Sequence, residues 1–131
     1  MANELILIVE DNEKNRKLVR DVLQFKGYRT AEAESAEEGI RLAQESPPAL
    51  ILMDIQLPGM NGIEALGRLR ADARTKKIPV MAVTASAMTH DRQKIMAAGF
   101  DGYQTKPINV KEFLEAVRQM LDRHQTAGGV S

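Results

Sequence analysis

The chain has 131 residues and no cysteine, so it fits a single domain able to bury roughly two-thirds of its unfolded surface, and disulfides and thiolate metal sites are excluded. Eighteen Lys and Arg balance eighteen Asp and Glu, which argues against a protein that lives on a nucleic-acid backbone or an anionic membrane surface. With three Phe, two Tyr and no Trp there is also little for bases to stack on.

The N-terminus has no basic lead, and its apolar run, Leu5 to Val9, stops too early for a signal peptide or a membrane span. It predicts a strand, and the lack of cysteine suits a cytoplasmic location. A first helix is expected over 13–26, with Leu18, Val22 and Phe25 on its inner face and Gly27 as a left-handed cap. Residues 28–33 mix charge with small side chains and read as an edge strand. Ser35 and Glu38 have capping-box spacing and open a second helix, with Ile40 and Ala43 inward. The run 50–53 is continuously apolar, as in a strand buried on both faces. A third helix over 61–71 turns Ile63 and Leu66 inward; Gly67 within it reads as a close-packing position, since Gly there costs up to ~1 kcal/mol. Another buried strand follows at 80–83, then a fourth helix over 89–98 ending at Gly99, and a weak strand at 102–105. The last helix opens at Asn109 with Glu112, again at capping-box spacing, and carries Val110, Phe113, Leu114, Val117, Met120 and Leu121 on its apolar stripe. Residues 125–131 hold two Gly and no periodicity, predicting a flexible C-terminal tail after one domain over 1–124.

Strand and helix thus alternate five times, which predicts an α/β fold with a five-stranded parallel sheet and helices on both faces. Ligands in such folds bind beyond the carboxyl ends of the strands. There the sequence places Glu10 and Asp11 after the first strand, Asp54 after the third, Thr84 at the fourth and Lys106-Pro107 after the fifth. Converging carboxylates repel unless a cation neutralises them. Oxygen ligands open to water suit Mg²⁺, and Lys106 adds a compact positive charge where phosphoryl oxygens would lie. A carboxylate in that setting can serve as a phosphoryl acceptor.

Taken singly, these residues have plainer uses. Glu10 and Asp11 could cap the first helix, Thr84 could simply end a strand, and Tyr103 could be half-buried packing. The seven Met read as core fillers or the initiator, and the basic stretch Arg68, Arg70, Arg74, Lys76 and Lys77 reads as a solvated loop face. His90 and His124 receive no function.

Four segments in order, Ile-Val-Glu10-Asp11-Asn, Leu-Met-Asp54-Ile-Gln-Leu-Pro58-Gly-Met-Asn-Gly62, Val-Thr84-Ala and Tyr103-Gln-Thr-Lys106-Pro107, resemble the receiver domains of response regulators, and the match runs from Leu5 to about Leu121. The resemblance implies the flavodoxin-like, CheY-like strand order 2-1-3-4-5. It further implies that Asp54 takes a phosphoryl group from a histidine kinase or a histidine phosphotransfer protein. Mg²⁺ would be held by Glu10 (through a water), Asp11, Asp54 and the backbone carbonyl of Gln56. Thr84 would bond the phosphoryl group and Lys106 would pair with it. Pro107 would follow a cis peptide bond, and Tyr103 would turn inward with Thr84 as the switch.

The length is similar to that of stand-alone receivers of the CheY and DivK types, and the segments 54–58 and 85–88 look more like the latter and like receivers of hybrid kinases. The implied output is a changed face of the fourth helix, fifth strand and fifth helix, read by a downstream effector protein. No nucleic acid or membrane partner is expected, and the chain would be a monomer or weak dimer. Two variants of this reading are an intermediate shuttle in a phosphorelay and an adaptor that binds without phosphorylation. Enzymatic alternatives fare worse. Haloacid-dehalogenase-type phosphatases need an Asp two residues after the nucleophile, where this chain has Gln56. Flavodoxins need a Ser/Thr/Gly-rich phosphate loop after the first strand, where Glu10 to Lys14 would repel one. Gln56 and Ser86 flank the site and would tune water access to Asp54.

Overall fold

The computed structural model describes residues 3–85 and 89–130. Five strands, β1 (Leu5–Val9), β2 (Arg29–Ala33), β3 (Leu50–Asp54), β4 (Val80–Thr84) and β5 (Gly102–Thr105), alternate with α1 (Glu13–Phe25), α2 (Ala36–Glu45), α3 (Gly62–Ala71), α4 (Thr89–Ala97) and α5 (Val110–Val130). The strands form one parallel sheet in the order β2-β1-β3-β4-β5, the order that the family resemblance implies.

The apolar strands are continuous because both of their faces are covered. Leu7, Val9, Ile51, Met53, Val80 and Ala82 point into a core with Ile40 and Ala43 of α2, Leu66 and Leu69 of α3 and Ile95 of α4. Their neighbours Ile6, Ile8, Leu50, Leu52, Met81 and Val83 pack against Val19 and Leu23 of α1 and Phe113, Val117 and Leu121 of α5. Alternation along each strand therefore sorts the helices into two layers. At the end of α1, Gly27 takes φ 92° and closes the helix as expected.

Several local expectations need correction. On α1 the inward stripe is Val19 and Leu23, with Val22 half-buried against the same core as expected, while Leu18 is 45% and Phe25 86% exposed. Both stripes have helical spacing and lie one residue apart, so periodicity alone could not choose between them. Gly67 is not a close-packing position: a Cβ there would meet nothing within 4 Å. The capping box of α2 is only half formed. Ser35 Oγ accepts from the Glu38 N–H at 3.2 Å, but the Glu38 carboxylate accepts from the N–H of Glu34. Arg70, expected in a solvated face, donates to the carbonyls of Lys76 and Ile78 and pairs with Asp101 at 2.7 Å. The backbone of α5 continues past His124 to Val130. Residues 125–130 contain no proline to block it, although Gly128 and Gly129 each disfavour helix by about 1 kcal/mol. Ser86 to Met88, and the side chains of His90 and His124, lie outside the described residues. Among the described residues, no helix is long and apolar enough to cross a membrane.

Candidate functional site

The carboxyl ends of β1, β3 and β4 deliver the site. Glu10 and Asp11 follow β1, while Asp54 and Thr84 are the last residues of β3 and β4. Glu10, Asp54 and Thr84 are buried and Asp11 is exposed. One carboxylate oxygen from each of Glu10, Asp11 and Asp54 lies within 4.8 Å of the others. The donor set is all oxygen and anionic, on a rim where one member opens to solvent, so it fits a hard divalent cation such as Mg²⁺.

Lys106, in the loop after β5, reaches back across this cluster. Its Nζ lies 2.6 Å from Glu10 Oε1 and 3.1 Å from Asp54 Oδ2. Its backbone N–H donates to the carbonyl of Thr84 at 2.8 Å, and the peptide bond to Pro107 is cis. Burial works against the ammonium charge, but Glu10 and Asp54 outweigh it and hold the Lys106 pKa above the usual lysine value. The Glu10 pKa is raised too, which for a carboxylate works against the charge. Burial first, and the Asp54 carboxylate with it, push its pKa up against the pull of Lys106 and the Asn12 N–H.

Neighbouring backbone completes the cup. The N–H of Gln56 donates to Asp54 Oδ1 at 3.0 Å, which places this residue beside the acceptor. Tyr103 lies on the outer strand in register with Ala82. It packs against the core beneath α2, α3 and α4, with the Arg92 guanidinium 5.5 Å from its ring centre. The fold thus gathers Glu10, Asp11 and Asp54 into one cluster and bonds Lys106 to Glu10 and Asp54, with Thr84 tied in through the Lys106 main chain and Tyr103 one strand away.

Three residues escaped the sequence reading as site builders. Gly62 starts α3 so close to the acceptor strand that a Cβ would stand 2.6 Å from the Asp54 carbonyl oxygen and 3.0 Å from Ile55 Cα. Its position just after the helix cap Asn61 was the available signal. Asn12 caps α1 with its side chain and gives its N–H to Glu10 Oε2 at 3.1 Å. Arg16 donates from Nη1 to the Glu10 carbonyl at 3.0 Å, a contact that no spacing in the sequence reveals.

A second feature adjoins the site. Leu18 lines a small cleft with Glu10, Lys106 and Pro107. Farther along α1, Val22 and Phe25 form an open groove of 740 Å³ with Val110 and Leu114 of α5, flanked by Asp21, Lys26, Lys111 and Glu115. An apolar stripe, exposed at Leu18, Phe25 and Val110, therefore starts at the carboxylate cluster and runs down the α1–α5 side.

Residues 6–118 match the family described as the response regulator receiver domain. The polar-differentiation response regulator DivK of Brucella ovis is 46% identical over 116 residues, covering 88% of this chain and 94% of that protein. Among solved structures, a CheY-like response regulator receiver domain protein from Methanospirillum hungatei JF-1 superposes with a TM-score of 0.87 at 29% identity. That match covers 96% of this chain and 99% of the other. The receiver domain of the sensor histidine kinase PA1611 from Pseudomonas aeruginosa PAO1 matches with a TM-score of 0.85 at 30% identity, over 92% of this chain and 99% of its own. That structure has a magnesium ion coordinated in its active-site cleft.

Proposed function

The chain belongs to the response regulator receiver domain family, and from that premise we propose that Asp54 stores a phosphoryl group received from a phosphohistidine donor and that a partner protein reads the modified state. One observation carries the reading: the oxygens of Glu10, Asp11 and Asp54 converge within 4.8 Å while Lys106 Nζ lies 3.1 Å from Asp54 Oδ2.

In the reaction, a carboxylate oxygen of Asp54 attacks the phosphorus in line with the leaving imidazole. The new P–O bond forms as the P–N bond breaks, and the imidazole leaves with its electron pair and takes up a proton. Little proton chemistry is required of the protein; charge and position do most of the work. Lys106, already bonded to Asp54 and Glu10, follows the transferred oxygens as their counter-charge. Glu10, Asp11, Asp54 and the backbone carbonyl of Gln56 are the groups that would hold Mg²⁺, which when bound supplies the positive charge that lets carboxylates and phosphoryl oxygens share the cleft. Gln56 stands where a hydrolytic acid/base would be needed, so the site keeps its phosphoryl group as a signal instead of turning substrate over.

The stripe of Leu18, Val22 and Phe25 beside the cluster suits docking by an apolar face of the phosphohistidine donor, a histidine kinase or phosphotransfer protein. On the opposite side, Thr84 and Tyr103 form the switch. Once Thr84 bonds the phosphoryl group, Tyr103 turns inward and the α4–β5–α5 face presented to an effector changes by population shift. A cytoplasmic location goes with this reading, because kinases of this kind draw on ATP. Amide NMR with Mg²⁺ and beryllofluoride, a phosphoryl mimic, tests the scheme. Shifts are expected at Asp54, Thr84, Tyr103 and Lys106 and none in Asp54→Asn; a silent wild-type spectrum, or equal shifts in the variant, would refute it.

A further inference from the structure

We propose that Arg16 is a positioning residue for the metal site, setting the Glu10-Asp11 main chain; the proposal rests on the Mg²⁺ reading above. Arg16 projects from the first turn of α1 and its side chain is 12% exposed. The guanidinium fork is used three ways. Nη1 donates to the Glu10 carbonyl at 3.0 Å, Nε to Glu32 Oε1 at 3.2 Å and Nη2 to Glu34 Oε1 at 3.3 Å. One side chain therefore joins α1, the end of β1 and the end of β2.

What it holds is the peptide unit that matters. The Glu10 N–H is anchored to the Ala33 carbonyl at 3.0 Å, the last bond from β1 towards β2. Beyond it the ladder ends, and the carbonyl of Glu10 belongs to the peptide from which Asp11 hangs. Arg16 grips that carbonyl. Two of the three clustered carboxylates are thus oriented through one main-chain contact. A metal site depends on such outer partners, because a ligand that can rotate away must be ordered anew on binding. The carbonyl and the two carboxylates are met by three separate nitrogens of a planar fork, a spread that the single nitrogen of an ammonium does not match.

Charge alone does not explain the arrangement. Arg16 and Arg20 stand against Glu32 and Glu34, so the cluster is locally balanced. Arg20 also bonds Glu32, at 3.4 Å, and its other partner is Asp21, not Glu10. It is a natural charge control. Removing either arginine makes the neighbourhood more negative and should favour a cation; only removing Arg16 frees the Glu10-Asp11 peptide.

The experiment is an Mg²⁺ titration of the metal-free protein, followed by amide shifts at fixed ionic strength, for wild type, Arg16→Gln and Arg20→Gln, with melting temperatures of each. Arg16→Gln is expected to weaken Mg²⁺ binding by roughly tenfold, while Arg20→Gln binds as tightly as wild type or slightly tighter. Arg16→Gln affinity equal to or tighter than wild type, even with a lowered melting temperature, makes the residue merely structural and overturns the proposal. Equal weakening in both variants assigns the effect to the shared Glu32 network and overturns it too. A wild type that binds no Mg²⁺ removes the metal reading itself. Should Arg16→Gln not fold, Arg16→Lys, which keeps the charge but spans fewer acceptors, is titrated in its place with the same expectation.

Discussion

Asp54→Asn should make the metal-free protein more stable. Asp54 and Glu10 are only 4% and 5% exposed, and the three carboxylates approach within 4.8 Å. At an effective dielectric of ~20, unit charges at that separation repel by about 3.5 kcal/mol, so Glu10 alone opposes Asp54 by roughly that much. Asp11 adds a smaller share because it is exposed and screened. Lys106, 3.1 Å away, returns about 5 kcal/mol on the same scale. The attractive and repulsive pair terms therefore cancel to within about 1–2 kcal/mol, and burial of the charge, which Asn avoids, tips the balance towards the variant. For a domain of this size a gain of about 1 kcal/mol raises the melting temperature by about 3–5 °C. Added Mg²⁺ should reverse the order, since a site filled at ten times its dissociation constant stabilises wild type by about 1.4 kcal/mol. Thermal unfolding followed by circular dichroism, in EDTA and then in excess Mg²⁺, reads both effects. A variant that melts below wild type in EDTA, or that gains as much from Mg²⁺ as wild type does, would refute the electrostatic account.

Three other outcomes can be checked. Phe25→Asp should slow phosphoryl transfer from a phosphohistidine donor at least tenfold yet leave labelling by acetyl phosphate unchanged, since Phe25 is solvent-facing and remote from the reacting atoms; equal rates from the protein donor would remove the docking role. Gly62→Ala should destabilise the fold by about 1–3 kcal/mol, because its Cβ would strike the Asp54 carbonyl and Ile55, with Mg²⁺ affinity falling alongside; urea unfolding and a metal titration decide. Glu4 is pushed up by its burial, but the Asn3 N–H and the Arg118 guanidinium prevail and hold its pKa down at about 2. Its stabilising contribution is therefore complete above the unfolded value of about 4.3 and fades as pH falls towards 2. The urea midpoint of Glu4→Gln should lie below wild type at pH 6 and approach it near pH 2.5, whereas a constant gap would contradict the assignment.

Much of this was legible in the chain because a parallel sheet leaves strong marks. Runs such as Leu50 to Met53 must be apolar on both faces, and the rule that ligands gather at strand ends groups Glu10, Asp11, Asp54 and Lys106 from the sequence alone. Less legible was anything decided by two elements meeting. Leu18 and Phe25 have the spacing of a buried stripe, yet Val19 and Leu23 took the inner face because the path of α1 over the sheet turns that face to β1 and β3. The crowding at Gly62 depends on where α3 crosses the end of β3, and the grip of Arg16 on Glu10 depends on the first turn of α1 folding back over β1. Gly67 shows the opposite failure. A helical glycine suggested close packing, and the space beside it is open.

The central claim is that Asp54 accepts a phosphoryl group in a metal-dependent way. Intact-mass measurement after incubation with acetyl phosphate tests it most directly. With Mg²⁺, wild type should gain the mass of one phosphoryl group, and neither Asp54→Asn nor wild type in EDTA should gain any. An adduct of the same size on Asp54→Asn, or one formed equally well without metal, would contradict the account.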